Sequence, residues 1–475
     1  MKKMIISTLV SAIALSVTNT VSAFDADTTA SVLPKNIIMI VGDGMGPAYT
    51  TAYRYFSDNP TTTHIEETVF DRHYVGSSST YPAAESGYIT DSSAAATALA
   101  TGVKTYNSAV SVDVNKKPLL TVLEWAKQQG KKTAVVVTSQ INHATPAAYL
   151  AHNDARYNYN AIADSYIDAG IKADVYLGGG WNYFIREDRN LVDEFKKAGF
   201  HYLDNYAGLN SLPKNKAVLG LFDDKGLPWA LDDTNKHRLS IMTKAATQQL
   251  ENPQGYFMLI EASQIDWGGH ARDIAAAMAE MDDLAKTMEY LERYVAKNPD
   301  TLVILTADHS TGGLSLGRKT GKTNKAINSS YLWQPQILRT IKMSPKNFAV
   351  KFAEEELDLQ QVNDALNFTL SAEELAQLIT AKQAGIESLA QYQKLSAEEQ
   401  KKQWLPKVFS PILVSIKDII DQQTNTGWGS ISRSGTHTAI DVPVFAFGKN
   451  SEVFRGFQDN TDIAKKIFTL LGKKD

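Results

Sequence analysis

Four short stretches hold the side chains that could do chemistry together. Gly42-Asp43-Gly44-Met45-Gly46 sets one carboxylate among glycines, and Glu261-Ala-Ser-Gln-Ile-Asp266-Trp267-Gly268-Gly269-His270 supplies two acids and a histidine. Asp308-His309 is a third stretch, and His437, within Ser434-Gly-Thr-His437-Thr438, is the fourth. Carboxylate oxygen and imidazole nitrogen without sulfur suit catalytic zinc, and an all-oxygen subset such as Asp43, Thr145 and Glu261 suits magnesium. The chain has no cysteine, which excludes thiolate catalysis and leaves stability to the core and to bound metal. No stretch is sufficient alone. Gly-x-Gly-x-Gly lacks the spacing of the dinucleotide fingerprint and by itself reads as a turn, and Asp308 could simply cap beside a hydrogen-bonded histidine.

A nucleophile is the next requirement. Residues 89–102 read I-T-D-S-S-A-A-A-T-A-L-A-T-G, in which Asp91 or Ser92 can cap a helix of alanines that Gly102 ends. Capping alone accounts for most such sequences. A helix N-terminus also binds anions through its free N–H groups and dipole, so a serine placed there beside zinc can be held as an alkoxide next to phosphate.

These residues must be brought together by elements of the fold. Apolar runs at 36–41, 132–137, 256–260 and 301–305 read as buried parallel strands, each followed by polar residues. Helical patterns lie between them, so the expected fold is α/β: a mostly parallel central sheet with helices on both faces. In such sheets ligands bind beyond the carboxyl ends of the strands, where Asp43, Thr145, Glu261, Asp266, His270, Asp308 and His309 all fall. Arg156 follows in the stretch 147–156, read as helical. The clearest helix spans 272–297, where Ile274, Met278, Met281, Leu284, Met288 and Leu291 repeat as a core stripe. Residues 318–428 read as a helical insertion, with capping boxes at Ser371-Ala-Glu-Glu374 and Ser396-Ala-Glu-Glu399 and further starts at Ser344-Pro345 and Ser410-Pro411. A strand at 442–447 and a helix at 461–471 close the catalytic domain, expected to span 24–475.

Taken together, Gly42-Asp43-Gly44, Thr90-Asp91-Ser92-Ser93-Ala94-Ala95, Ala144-Thr145-Pro146, Glu261 to His270, Asp308-His309 and His437-Thr438 resemble, in type and order, the alkaline phosphatase family. The resemblance implies a phosphomonoesterase with two zinc ions and one magnesium ion. Asp266, His270 and His437 would bind one zinc; Asp43, Asp308, His309 and Ser92 the second; Asp43, Thr145 and Glu261 the magnesium. Ser92 would be the nucleophile of a two-step transfer through phosphoserine, with Arg156 gripping two phosphate oxygens by its planar fork. His143 and Trp267 would face the substrate. They stand where the enterobacterial enzyme has aspartate and lysine, a combination similar to some marine bacterial and animal members. Homodimers are common in the family, so a homodimer is expected.

Composition limits the rest. At 475 residues and 43% hydrophobic, the chain can bury a large core, and its formal charge of −4, without a block of like charges, offers no nucleic-acid-binding surface. Met1-Lys2-Lys3, an apolar stretch from Ile5 to Val17 and Val21-Ser22-Ala23 read as a signal peptide over 1–23, whose apolar core is shorter than the ~20 residues of a spanning helix. A periplasmic or secreted protein without a membrane anchor is expected. His64, His73, His152, His201 and His237 have no comparable context. Two rivals share much of this pattern. A phosphodiesterase of the same superfamily would share both zinc sites, although Thr145, Glu261 and Arg156 favour a terminal phosphate dianion. A periplasmic phosphate- or zinc-binding protein accounts for the ligands but gives Ser92 and Arg156 no joint purpose.

Overall fold

In a computed structural model the described residues are 33–317, 332–429 and 436–474. The signal-peptide reading of 1–23, the first part of the insertion and Ser434-Gly435 lie outside them.

The four apolar runs form the middle of one sheet. Its strands are β1 (Asn36–Gly42), β2 (Tyr74–Ser79), β3 (Lys132–Gln140), β4 (Val175–Gly179), β5 (His201–Leu203), β6 (Val218–Leu221), β7 (Tyr256–Ala262) and β8 (Thr301–Thr306). Four short strands follow: β9 (Ser310–Thr311), β10 (Leu314–Leu316), β11 (Thr426–Trp428) and β12 (His437–Thr438). The last two, β13 (Val442–Gly448) and β14 (Gly456–Asp459), return to the large sheet. Its ten strands run β14-β2-β13-β8-β1-β7-β3-β4-β6-β5, parallel except where β13 pairs with β2 and β8. The central register aligns the strand ends: Val41 lies opposite both Glu261 and Thr306, and Val137 opposite Glu261. The residues that follow these strands therefore share one edge.

Alternation along β1 divides the core. Ile38 and Ile40 pack into one buried cluster, and Ile37, Met39 and Val41 into another on the opposite face. Helices cover both, so strands buried on two sides read as continuous apolar runs. The methionines Met278, Met281 and Met288 lie wholly in the first cluster, as do Phe348, Phe352, Leu378, Ile412 and Ile416 from the insertion. The insertion thus shares the domain's core.

Several helix boundaries differ from the sequence reading. The 272–297 pattern begins only at Ile274: Arg272 takes a left-handed conformation (φ 50°), ending the helix Gln264–Ala271, and the Asp273 side chain caps Ile274–Lys297 by accepting from Ala276 N at 2.9 Å. Ser371, Ser396 and Ser344 cap as expected. Ser410 does not, because that helix starts earlier, as Phe409–Thr424 with Val408 at its N-cap. Pro411 fits inside the first turn because the first four N–H groups of a helix have no intrahelical partner. Arg156 is not helical either; the helix Ala144–Leu150 ends at Ala151, and a turn carries the arginine.

Candidate active site

After β1 the chain turns at Asp43-Gly44. Gly44 has φ 73°, and a Cβ there would lie 2.7 Å from the Asp266 backbone, so only glycine lets the turn sit this close to the Asp266 helix. Its N–H donates to Asp308 Oδ1 at 3.1 Å, joining the ends of β1 and β8. Past β8 the chain is irregular at Ala307 to His309, which lets Asp308 and His309 turn inward together, both with no solvent exposure. Antiparallel pairing of β9 with β12 then sets His437 opposite Thr311. Asp266 and His270 share one face of Gln264–Ala271, His270 Nε2 standing 3.4 Å from Asp266 Oδ2 and 3.1 Å from His437 Nε2.

Hydrogen bonds fix how two of the histidines face. His437 Nδ1 lies 2.8 Å from the Thr90 carbonyl, which can only accept, so Nδ1 carries the proton and Nε2 presents a lone pair. Thr311 Oγ1 donates to the Asp266 carboxylate at 2.5 Å and accepts from His309 Nδ1 at 3.1 Å. His309 Nε2 therefore also presents a lone pair, 3.2 Å from Asp308 Oδ2, 3.5 Å from Asp43 Oδ1 and 3.2 Å from Ser92 Oγ. Thr311 was not singled out from the sequence; a threonine two residues past His309 gives no signal until β9 aims it at Asp266.

Ser92 is the first residue of the helix Ser92–Thr101, which ends at Gly102 in a left-handed conformation. Asp91 is the cap, its Oδ1 accepting from Ala94 N at 2.9 Å. All ten helical residues are buried, so the alanines let neighbouring helices approach from every side. Ser93 is more than a small helical residue, since its hydroxyl donates to the Ala109 carbonyl at 2.5 Å. Asp91 Oδ2 also accepts from Arg156 Nη1 at 3.1 Å, and Arg156 Nη2 lies 3.4 Å from His143 Nε2. A backbone bond from Arg156 N to Ser108 O, 2.8 Å, anchors the turn. Although burial opposes the Arg156 charge, Asp91 holds its pKa above the ordinary value.

Glu261, Thr145, His143 and Trp267 complete the predicted set. Glu261 Oε2 accepts from Ser263 Oγ at 2.6 Å and Ser139 Oγ at 3.2 Å, two hydroxyls the sequence did not single out. Thr145 is wholly buried on Ala144–Leu150, and His143 precedes that helix with its ring edge-on to Trp267, centroids 5.9 Å apart.

The electrostatics ask for cations. Burial, and then the neighbouring carboxylates, raise the pKa of Asp43 and Asp308 well above the ordinary range, and burial raises Glu261. His143 is pushed down to about 3 by burial and then by Arg156, so it is neutral. Buried atoms without a hydrogen-bond partner include both Asp43 carboxylate oxygens, Asp308 Oδ2, Glu261 Oε1 and Thr145 Oγ1. Each such atom costs ~1–3 kcal/mol unless something else pairs with it. Three compact groups among the described residues could hold an ion: Asp43 with Asp308 and His309; Asp43 with His143 and Glu261; and Asp266 with His309 and His437. The orphaned oxygens belong to these groups or adjoin them, so the residues present fit divalent metal.

Comparison with known proteins gives this geometry a context. The profile of the alkaline phosphatase family matches residues 34–472. The chain belongs to the alkaline phosphatase family. It is 41% identical to alkaline phosphatase 3 of Bacillus subtilis (strain 168), over 92% of this chain and 89% of that one. A cold-active alkaline phosphatase from a psychrophilic Shewanella sp. is 45% identical and superposes with a TM-score of 0.81, over 92% of this chain and all of the other. The Thermus thermophilus alkaline phosphatase gives a TM-score of 0.75 at 25% identity, over 93% and 92% of the two chains. Membership makes the protein a phosphoric monoester hydrolase of a metal-dependent family, and the ten-stranded sheet is that family's fold. Among the described residues no helix is long and apolar enough to cross a membrane.

Proposed function

We propose that the protein hydrolyses phosphate monoesters through a phosphoserine at Ser92, at a site with two zinc ions and one magnesium ion, and releases inorganic phosphate. The observation that carries this reading is the set of buried, unpartnered ligand oxygens around Asp43, with Ser92 Oγ 3.2 Å from His309 Nε2 beside them. Asp266, His270 and His437 hold one zinc in this assignment. Asp43, Asp308, His309 and Ser92 hold the second, and Asp43, Thr145 and Glu261 the magnesium, with His143 alongside. Bound divalent ions supply positive charge that favours the serine alkoxide and offsets charge on the phosphoryl group and the leaving oxygen.

The chain's own residues do the rest. Ser92 Oγ attacks phosphorus in line; its bond to phosphorus forms as the ester P–O bond breaks, and the leaving oxygen departs as an alcohol. Arg156, oriented by Asp91, binds two non-bridging oxygens through its planar fork. Free N–H groups at the start of Ser92–Thr101 add partial positive charge. Water then attacks the phosphoserine, restoring the hydroxyl and releasing phosphate. Cleavage near Phe24, a periplasmic or secreted location and homodimeric assembly complete the reading.

Zinc- and magnesium-loaded protein is expected to hydrolyse aryl phosphates, to lose that activity on chelation, and to yield acid-trapped phosphoserine. Ser92→Ala should abolish both turnover and trapping. Unchanged turnover in that variant, or a large preference for diesters, would overturn the mechanism.

A further inference from the structure

Beside the catalytic centre lies a cavity of about 560 Å³, within the range of small-molecule sites. It shares His143 with that centre, whose Nε2 is 3.4 Å from Arg156 Nη2, so it begins next to the arginine. Four large aromatic side chains line it. Trp267 forms one side and is seated against the chain at Gly226, where a Cβ would lie 2.3 Å from the indole ring. Tyr159 and Tyr183 form another side, their rings paired at 5.1 Å, and Trp229 adds a fourth ring. The floor is rigid. Gln264 spends its amide on Thr138 O at 2.9 Å, Leu227 O at 2.6 Å and Arg238 Nη2 at 3.2 Å. Gln140 differs: it lines the same cavity at 5% exposure, and its side-chain amide makes no hydrogen bond within the described protein.

Aromatic walls, a donor–acceptor amide left unpaired and an opening beside the phosphate-binding arginine together describe a receptor for a flat, polar ring. We propose that this cavity is a leaving-group subsite that binds the base of nucleoside 5′-monophosphates. The proposal rests on the monoesterase reading above. The base stacks between Trp267 and the tyrosine pair, while the Gln140 amide both donates to and accepts from its edge. Stacking dominates, and the amide adds orientation. Lys225 and Lys346 on the lining, against Asp223, give it a net positive charge that favours an anionic ester.

Adenosine 5′-monophosphate and ribose 5-phosphate test this directly, since they share the leaving alkoxide and differ by the base. Wild-type kcat/KM should be higher for the nucleotide. Tyr183→Leu and Gln140→Leu should each reduce that advantage, the tyrosine change by about tenfold, without altering ribose 5-phosphate turnover. Adenosine should also inhibit wild-type hydrolysis of ribose 5-phosphate competitively, a measurement that needs no variant. Equal rates for the two esters in wild type, parallel losses for both in the variants, or no inhibition by adenosine would overturn the subsite. Wild-type protein that shows no Ser92-dependent hydrolysis of either ester would instead overturn the monoesterase reading itself.

Discussion

Arg238 has no solvent exposure, yet it sits among acids. Its Nη2 donates to both Glu280 oxygens at 2.8 and 2.9 Å, and its Nη1 to Asp283 Oδ2 at 3.0 Å. Those carboxylates also serve the backbone. Asp283 accepts from Leu239 N at 3.0 Å and Ser240 N at 3.3 Å, at the start of the helix Arg238–Leu250, and Glu280 accepts from Ala230 N at 2.8 Å. Arg238→Met removes the cation and leaves two buried carboxylates facing each other, for which about 3–5 kcal/mol of destabilisation is expected at alkaline pH. The pH dependence makes the test specific. Burial pushes Asp283 up to about 7 despite the pull of Arg238. A group raised this way contributes stability that is fully present below its unfolded value of 3.8 and is lost as pH climbs through about 7. Without Arg238 the folded pKa rises further, so the loss extends to higher pH. The variant's deficit should therefore be ~1–2 kcal/mol smaller at pH 6 than at pH 8.5. Denaturant midpoints at both pH values, at fixed metal concentration, measure it. An unchanged midpoint, or a larger deficit at pH 6, would refute the reasoning. Replacing all three residues by apolar ones should not restore stability, because the N–H groups of Ala230, Leu239 and Ser240 would lose their acceptors.

The same physics extends to other positions. Asp91→Asn keeps an acceptor for Ala94 N, whereas Asp91→Ala does not; the alanine variant should lose ~1 kcal/mol and the asparagine variant much less, as read from denaturant midpoints. Glu124 is raised by burial but drawn down further by His152 and Lys172, from 4.5 to about 2, and it accepts from Thr121 N in the capping box that starts Val122–Gln128. Being depressed, it contributes stability above pH 4.5 that is lost as pH falls through about 2; solvent access limits this to ~1–2 kcal/mol. The melting difference between wild type and Glu124→Gln should accordingly shrink from pH 7 to pH 3. Gly44→Ala should cut zinc content and activity together, since a Cβ there meets the Asp266 backbone at 2.7 Å and φ is 73°; full zinc occupancy in that variant would contradict the close-approach argument.

Most of the candidate ligand residues were legible because they follow long apolar runs, β1, β3, β7 and β8, whose residues are almost all buried, whereas His437 precedes β13. Strands β2, β4, β5 and β6 were not singled out: β4 has five residues and ends in two glycines, β5 and β6 have three and four residues, and Tyr74–Ser79 is polar and lies near the sheet edge. Helix starts depended on local chemistry and were right where a serine side chain could reach the third N–H, as at Ser371 and Ser396. At Ser410 packing extended the helix past the local signal.

The sequence by itself thus determined which side chains could meet metal and phosphate, because donor type, strand pattern and capping are local properties. Only the tertiary structure decided how they meet. Thr311 links Asp266 to His309, Ser139 and Ser263 hold Glu261, and Gly226 seats Trp267 against the cavity. The contacts of Thr311 with Asp266, Ser139 with Glu261 and Gly226 with Trp267 join segments far apart in sequence, and their geometry comes from strand register and helix packing, which no local pattern of residues encodes.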